Sequence, residues 1–257
     1  MSVRLDSLPQ NVQSACTALR DELASLLGDE LRALWLYGAV TFPDRPAHLG
    51  DVDTHGILLT RPAPDLARAI DDVHERIAHE TNVEWDSWYV LESDARGAAP
   101  PAHALRVDLE DDAWALHRAH WLAGQYVRLH GAAPGDLVAE PAWAELTEAL
   151  ADELEFIDEI MDEAKRDAGH AAFAILNACR ISYSLQTRDV VVSKLAASMW
   201  AVDHLPSAWT EAISAARRFY GGALRENDAA VMHASLLEIV DAARERVGHA
   251  SAGTADA

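Results

Sequence analysis

Asp51 and Asp53 alternate at the head of an apolar run, Asp51-Val-Asp-Thr-His-Gly-Ile-Leu58. Side chains on a β-strand repeat every two residues, so both carboxylates leave the same face. Two carboxylates side by side repel each other, and a cation between them relieves the repulsion. A hard divalent ion such as Mg²⁺ suits that place because it takes oxygen ligands. Upstream, a second apolar run, Leu34-Trp-Leu-Tyr-Gly-Ala-Val40, breaks at Gly38. A glycine turn after a strand lets a phosphate approach the backbone closely. Downstream, Glu84 and Asp86 alternate on a third run, 83–91, and either can supply a third carboxylate. Two metal ions held this way polarise phosphoryl oxygens and stabilise both ends of an in-line displacement. A carboxylate near an acceptor hydroxyl can take its proton.

Those residues need a sheet to hold them. Residues 31–37, 52–59 and 83–91 read as strands, and 8–27 and 63–81 as amphipathic helices with apolar residues at helical spacing. Gly28 closes the first helix. Residues 111–122 read as a helix and 125–129 as a short edge strand before Gly131. The stretch from Ala132 through Pro134 and Gly135 to Pro141 marks a change of character. Beyond it, 141–166, 170–187, 193–203, 206–220 and 226–247 all read as helix. The fold class expected is α+β: a mixed-sheet domain over 1–138, an all-α domain over 139–250 and a disordered tail over 251–257.

The chain has 257 residues, half of them hydrophobic, which is enough for a substantial core. Its net charge of −21 excludes a surface that tracks nucleic acid, which needs clustered Lys and Arg. An acidic surface suits solubility, and it also favours the approach of a cationic substrate. No apolar run is long enough to cross a bilayer, and the first residues lack the apolar segment of a secretory signal. Cys16 and Cys179 lie far apart, suggest no disulfide and read as small buried hydrophobes, so a cytoplasmic location is expected.

Gly38-Ala39, Asp51-Val-Asp53 and Glu84, in that order, resemble the signature of the nucleotidyltransferase superfamily, whose members share a polymerase-β-like fold. The helical half narrows the likeness. Ile175-Leu-Asn-Ala-Cys-Arg180 and the stretch Val192-Ser-Lys194 to Pro206 resemble the C-terminal domain of aminoglycoside 3''/9-adenylyltransferases, and Gln125–Gly131 followed by Pro134 resembles their interdomain segment. The resemblance implies Mg²⁺-dependent transfer of AMP from ATP to a hydroxyl of a cationic aminoglycoside, with release of pyrophosphate; two domains closing on a cleft suit a monomer. It implies Asp51 and Asp53 as metal ligands and Glu84 as catalytic base and further ligand, with Asp86 in reserve. Gly38, Ala39, Arg180 and Lys194 would contact the nucleotide, Arg as a fork and Lys as a point charge. Ala39 stands where the family usually has serine, and Thr41 is the nearest hydroxyl that could replace it. Arg166 and His170 stand nearest to the places of the family's drug-recognising acids; Asp158, Asp162, Glu163 and Asp167 offer negative charge nearby. Transfer to another hydroxylated metabolite, or nucleotide binding without catalysis, are the alternatives.

Several residues also have plainer readings. Arg180, in an apolar helix, suits a buried ion pair, and Lys194 suits a solvated helix start. His55 shares the aspartate face and reads as a hydrogen-bonded structural histidine. Trp114, His117, His120 and Trp121 recur at helical spacing, which fits core packing better than a sugar pocket.

Overall fold

In a computed structural model, residues 3–45, 51–106 and 108–254 are described. They form two compact units, Met1–Pro43 with Leu49–Pro141, and Asp44–His48 with Ala142–Ala257. Gly50 lies outside the described residues. No helix among the described residues is long and apolar enough to cross a membrane.

The first unit is built on a four-stranded sheet in the order β3-β2-β1-β4: β1 Leu31–Tyr37, β2 Asp51–Leu58, β3 Glu84–Leu91 and β4 Val127–Gly131. β1 runs antiparallel to β2 and β4, whereas β2 and β3 are parallel. Parallel neighbours need a crossover, and α2 (Pro64–Thr81) supplies it. Pro64 opens that helix and Asn82, at φ 51°, closes it in the left-handed region. The sheet is therefore mixed, as expected.

The period-two pattern sends residues of β1 and β2 to opposite faces. Leu34, Leu36, Val52 and Leu58 pack against α1 (Gln10–Leu27) and α2. Val12, Cys16, Leu19, Leu23 and Leu27 of α1 are all buried in that layer, with Ile70 and Ile77 of α2. Each such side chain contributes about 1.5–3 kcal/mol by leaving water. The other face carries Ala33, Trp35, Tyr37 and Ile57. It packs on Trp114 and Trp121 of α4 (Trp114–Leu122) and on Leu137 of the single-turn helix α5 (Pro134–Leu137). Another single turn, α3 (Glu92–Ala95), leaves β3 and buries Ala95 there. Trp114 and Trp121 are core residues, as their spacing suggested.

The second unit is helical throughout: α6 Trp143–Glu159, α7 Met161–Ala164, α8 Ala168–Thr187, α9 Lys194–His204, α10 Thr210–Tyr220 and α11 Asp228–Thr254. α8 is its centre and touches every other helix of the unit. Ala171, Ala172, Ala174 and Ala178 are buried on it and allow close approach. Asp167 and Ser193 cap α8 and α9 by accepting from the backbone amides of His170 and Ala196. The first helix expected here divides at Ile160. The last continues to Thr254, into the stretch read as a tail.

Candidate active site

Tyr37 pairs with Asp53 across β1 and β2, and the parallel register of β2 and β3 sets Asp51 beside Glu84 and Asp53 beside Asp86. The acids therefore meet at the N-terminal ends of two parallel strands. Carboxylate oxygens of Asp51, Asp53 and Asp86 come within 4.8 Å of one another. Glu84 is not in this group. The sequence placed Glu84 in the trio with Asp86 in reserve; the geometry gives the place to Asp86. Glu84 stands one side-chain repeat further out on the same strand face, exposed and beside Asp51.

The crowding of like charges leaves its mark. The Asp86 carboxyl is raised above its ordinary value, first by partial desolvation, although the side chain keeps exposed surface, and then by the Asp51 charge. Burial, followed by the charges of Asp53, Asp111, Asp86 and Asp51, pushes the Tyr37 phenol well up, so it stays protonated.

Gly38 is tied to the trio sterically. Its φ is +74°, and a Cβ there would fall 1.5 Å from Asp53 Oδ2. Any side chain at this position displaces the carboxylate. Ala39 follows in the 3-10 turn Gly38–Thr41. Thr41 does not replace the missing serine in any visible way: it is buried and its hydroxyl donates to the Gly38 carbonyl at 2.8 Å.

A second group lies deeper on the same face. His55 Nε2 and His117 Nδ1 each sit 3.0 Å from Asp111 Oδ2. The Tyr37 hydroxyl is 3.4 Å from His117 Nε2. Burial lowers His55 to about 4 against the opposing pull of Asp111. Burial alone would raise the Asp111 carboxyl, but the His117 charge and hydrogen bonds from both rings hold it well below the usual range. His55 is thus hydrogen-bonded, as read from sequence. Asp111 escaped notice because its partner His55 is 56 residues away; the only local signal was His117 six positions on, at the far end of one helical turn and more.

In the helical unit, Arg180 Nη2 donates to Glu153 Oε2 at 2.7 Å, each side chain about one-fifth exposed. Lys194, the first residue of α9, holds its Nζ 4.1 Å from the centre of the Phe173 ring. Among the acids of the 152–167 run, Asp162 pairs with Lys165 and Asp167 with His170 nearby in sequence, and Asp158 pairs with Arg244 of α11.

Residues 141–246 match the family model described as aminoglycoside adenylyltransferase, C-terminal domain. The match covers the helical unit, from the end of the sheet unit through most of α11. A crystal structure of the spectinomycin adenyltransferase AAD(9) from Enterococcus faecialis, with ATP and spectinomycin, shares the fold of this chain. The TM-score is 0.69 at 14% identity, over 91% of this chain and 98% of that one. No curated protein matches the chain.

Proposed function

We propose that the chain transfers AMP from ATP to a hydroxyl of an aminoglycoside and releases pyrophosphate, with Mg²⁺ held at Asp51, Asp53 and Asp86. The observation that carries this reading is the carboxylate trio at the ends of two parallel strands. Three oxygen donors with mutual repulsion fit a hard divalent ion. When bound, such ions supply Lewis-acid stabilisation to the transferring phosphoryl group. The chain's own residues do the remainder. Gly38 clears the space that Asp53 fills, and the backbone at Gly38 and Ala39 is offered to the nucleotide phosphates. Arg180 and Lys194 are the proposed cationic contacts to ATP; Glu153 holds the Arg180 guanidinium in one orientation. With Asp86 in the trio, Glu84 is left as proton acceptor for the attacking hydroxyl. ATP use and two buried, unpaired cysteines fit a reducing cytoplasm. The AAD(9) structure holds ATP and spectinomycin, and an acceptor of that type is the first to try here.

Pyrophosphate release, measured with ATP and a panel of aminoglycosides, tests the reading. Turnover with one or more of them supports it. ATP binding without turnover on any hydroxylated acceptor overturns it. Glu84→Gln and Asp86→Asn divide the labour. Asp86→Asn raises the Mg²⁺ concentration needed for half-maximal rate, whereas Glu84→Gln lowers kcat and leaves that concentration unchanged. A second reading, transfer to a non-cationic metabolite, draws on Arg166 and His170 standing near the places of the family's acidic drug contacts. Turnover confined to neutral or anionic acceptors would establish it.

A further inference from the structure

His55, Asp111 and His117 have no part in the reaction proposed above. Their donor set also differs from that of the trio: two ring nitrogens and one oxygen, where Asp51, Asp53 and Asp86 offer oxygen alone. We propose that His55 Nε2, His117 Nδ1 and an Asp111 carboxylate oxygen form a buried site for a zinc-class transition metal, which fastens α4 to β2 behind the carboxylate trio.

Four observations point there. The three ligand atoms lie within 4.8 Å of one another. Both rings converge on one oxygen, Asp111 Oδ2, at 3.0 Å, close to the roughly 3.3 Å that separates ligands around a tetrahedral zinc with bonds of about 2.0–2.1 Å. Asp111 is 3% exposed, and the partners its carboxylate meets at 3.0 Å are these two imidazoles. A divalent ion would supply the positive charge that a buried carboxylate calls for. Finally, a metal-bound histidine usually has its other ring nitrogen oriented by an outer partner, and Tyr37 stands 3.4 Å from His117 Nε2. The donor chemistry selects the metal. Imidazole suits zinc, copper and nickel; carboxylates and waters suit magnesium and calcium. His55 and Asp111 are fully enclosed, but the His117 side chain is 20% exposed and gives an ion a way in.

The site is built from chain segments far apart in sequence, so the ion would act as a cross-link. It would join the strand that carries Asp51 and Asp53 to the helix that covers it. This proposal is independent of the adenylyl-transfer reading, and its tests do not use activity.

Untagged protein, treated with EDTA, reloaded with zinc and desalted in excess Mg²⁺, is expected to retain one zinc per chain by elemental analysis. Zinc should raise Tm by about 5 °C when present at about 100 times Kd. Cobalt in its place should give a visible ligand-field band. His117→Gln keeps a donor for Asp111, and it should fold but lose the zinc and the band. Asp53→Asn should keep both. Wild-type protein that desalts free of zinc, with no Tm change and no cobalt band, is a hydrogen-bonded triad only, and the proposal falls. It falls equally if Asp53→Asn loses the zinc while His117→Gln retains it. Should His117→Gln fail to fold, the zinc-dependent Tm and the cobalt band of the wild type decide alone.

Discussion

The two faces of β2 share a backbone and differ in everything else. One face sends Val52 and Leu58 into a layer of leucines and isoleucines from α1 and α2. The other sends out Asp51 and Asp53, then His55, and only at Ile57 becomes apolar. The first face follows the rule that apolar area leaves water. It contains one polar chain, and that chain satisfies itself: Thr54 Oγ1 to Ser87 Oγ at 2.7 Å, Ser87 Oγ to His74 Nδ1 at 3.5 Å, and His74 Nε2 to the Tyr89 hydroxyl at 2.6 Å. The second face gathers three like charges at one end. Nothing in folding calls for that arrangement, and a strand with such a head is less stable than one without it. The stability comes from one side and the chemistry from the other.

Four changes test this division. Asp53→Asn keeps the shape and removes a charge; we expect kcat for adenylyl transfer to fall about 10³-fold. The Tm should stay the same or rise, because the repulsion is relieved. A mutant with near-wild-type pyrophosphate release would defeat the metal reading. Leu19→Ala is the mirror image. Leu19 is fully buried on α1, so urea denaturation should show a loss of about 3 kcal/mol, with kcat unchanged at temperatures where the protein is folded. Gly38→Ala touches both sides of the ledger: the new methyl collides with the Asp53 carboxylate. It should cost about 10²-fold in kcat and about 1–2 kcal/mol in stability; activity equal to wild type would show that Asp53 can move at no cost.

The smallest effect concerns acid. Burial, helped by the Arg106 charge, lowers His74 to about 4. The unfolded chain takes up this proton near pH 6.5 and the folded chain only near 4, so the neutral ring favours folding above pH 6.5 and this contribution is lost as the pH falls toward 4. Between pH 6.5 and 5.5 the slope amounts to about 1 kcal/mol. His74→Gln should flatten it in urea titrations. An unchanged slope would mean that the ring is not sealed in that layer.

Much of this was legible before any coordinates. β1 fell where its apolar run predicted, because a central strand buried on both faces is apolar from Ala33 to Tyr37, with Arg32 the one exposed residue near its start. Helical spacing found α1 and α2 to within two residues at either end. The break at Ile160 was not visible, since no glycine or proline marks it. The choice between Glu84 and Asp86 was also beyond local reading. Period-two alternation puts both on the correct face, but which one meets Asp53 depends on register, and register is set by contacts between segments 33 residues apart. The same holds for the His55–Asp111 pair, whose members carry no sign of each other in sequence.

That register has a mechanical source. α2 ends at Asn82, in a left-handed turn, and β3 starts two residues later. The segment works as a ruler between the second and third strands. Lengthen it by one residue and Trp85 would arrive opposite Asp53, with Glu84 and Asp86 turned toward the leucine layer. The loops after β3 and between α10 and α11 lie outside this count, whereas the stretch from Pro64 to Glu84 decides which carboxylate meets Asp53.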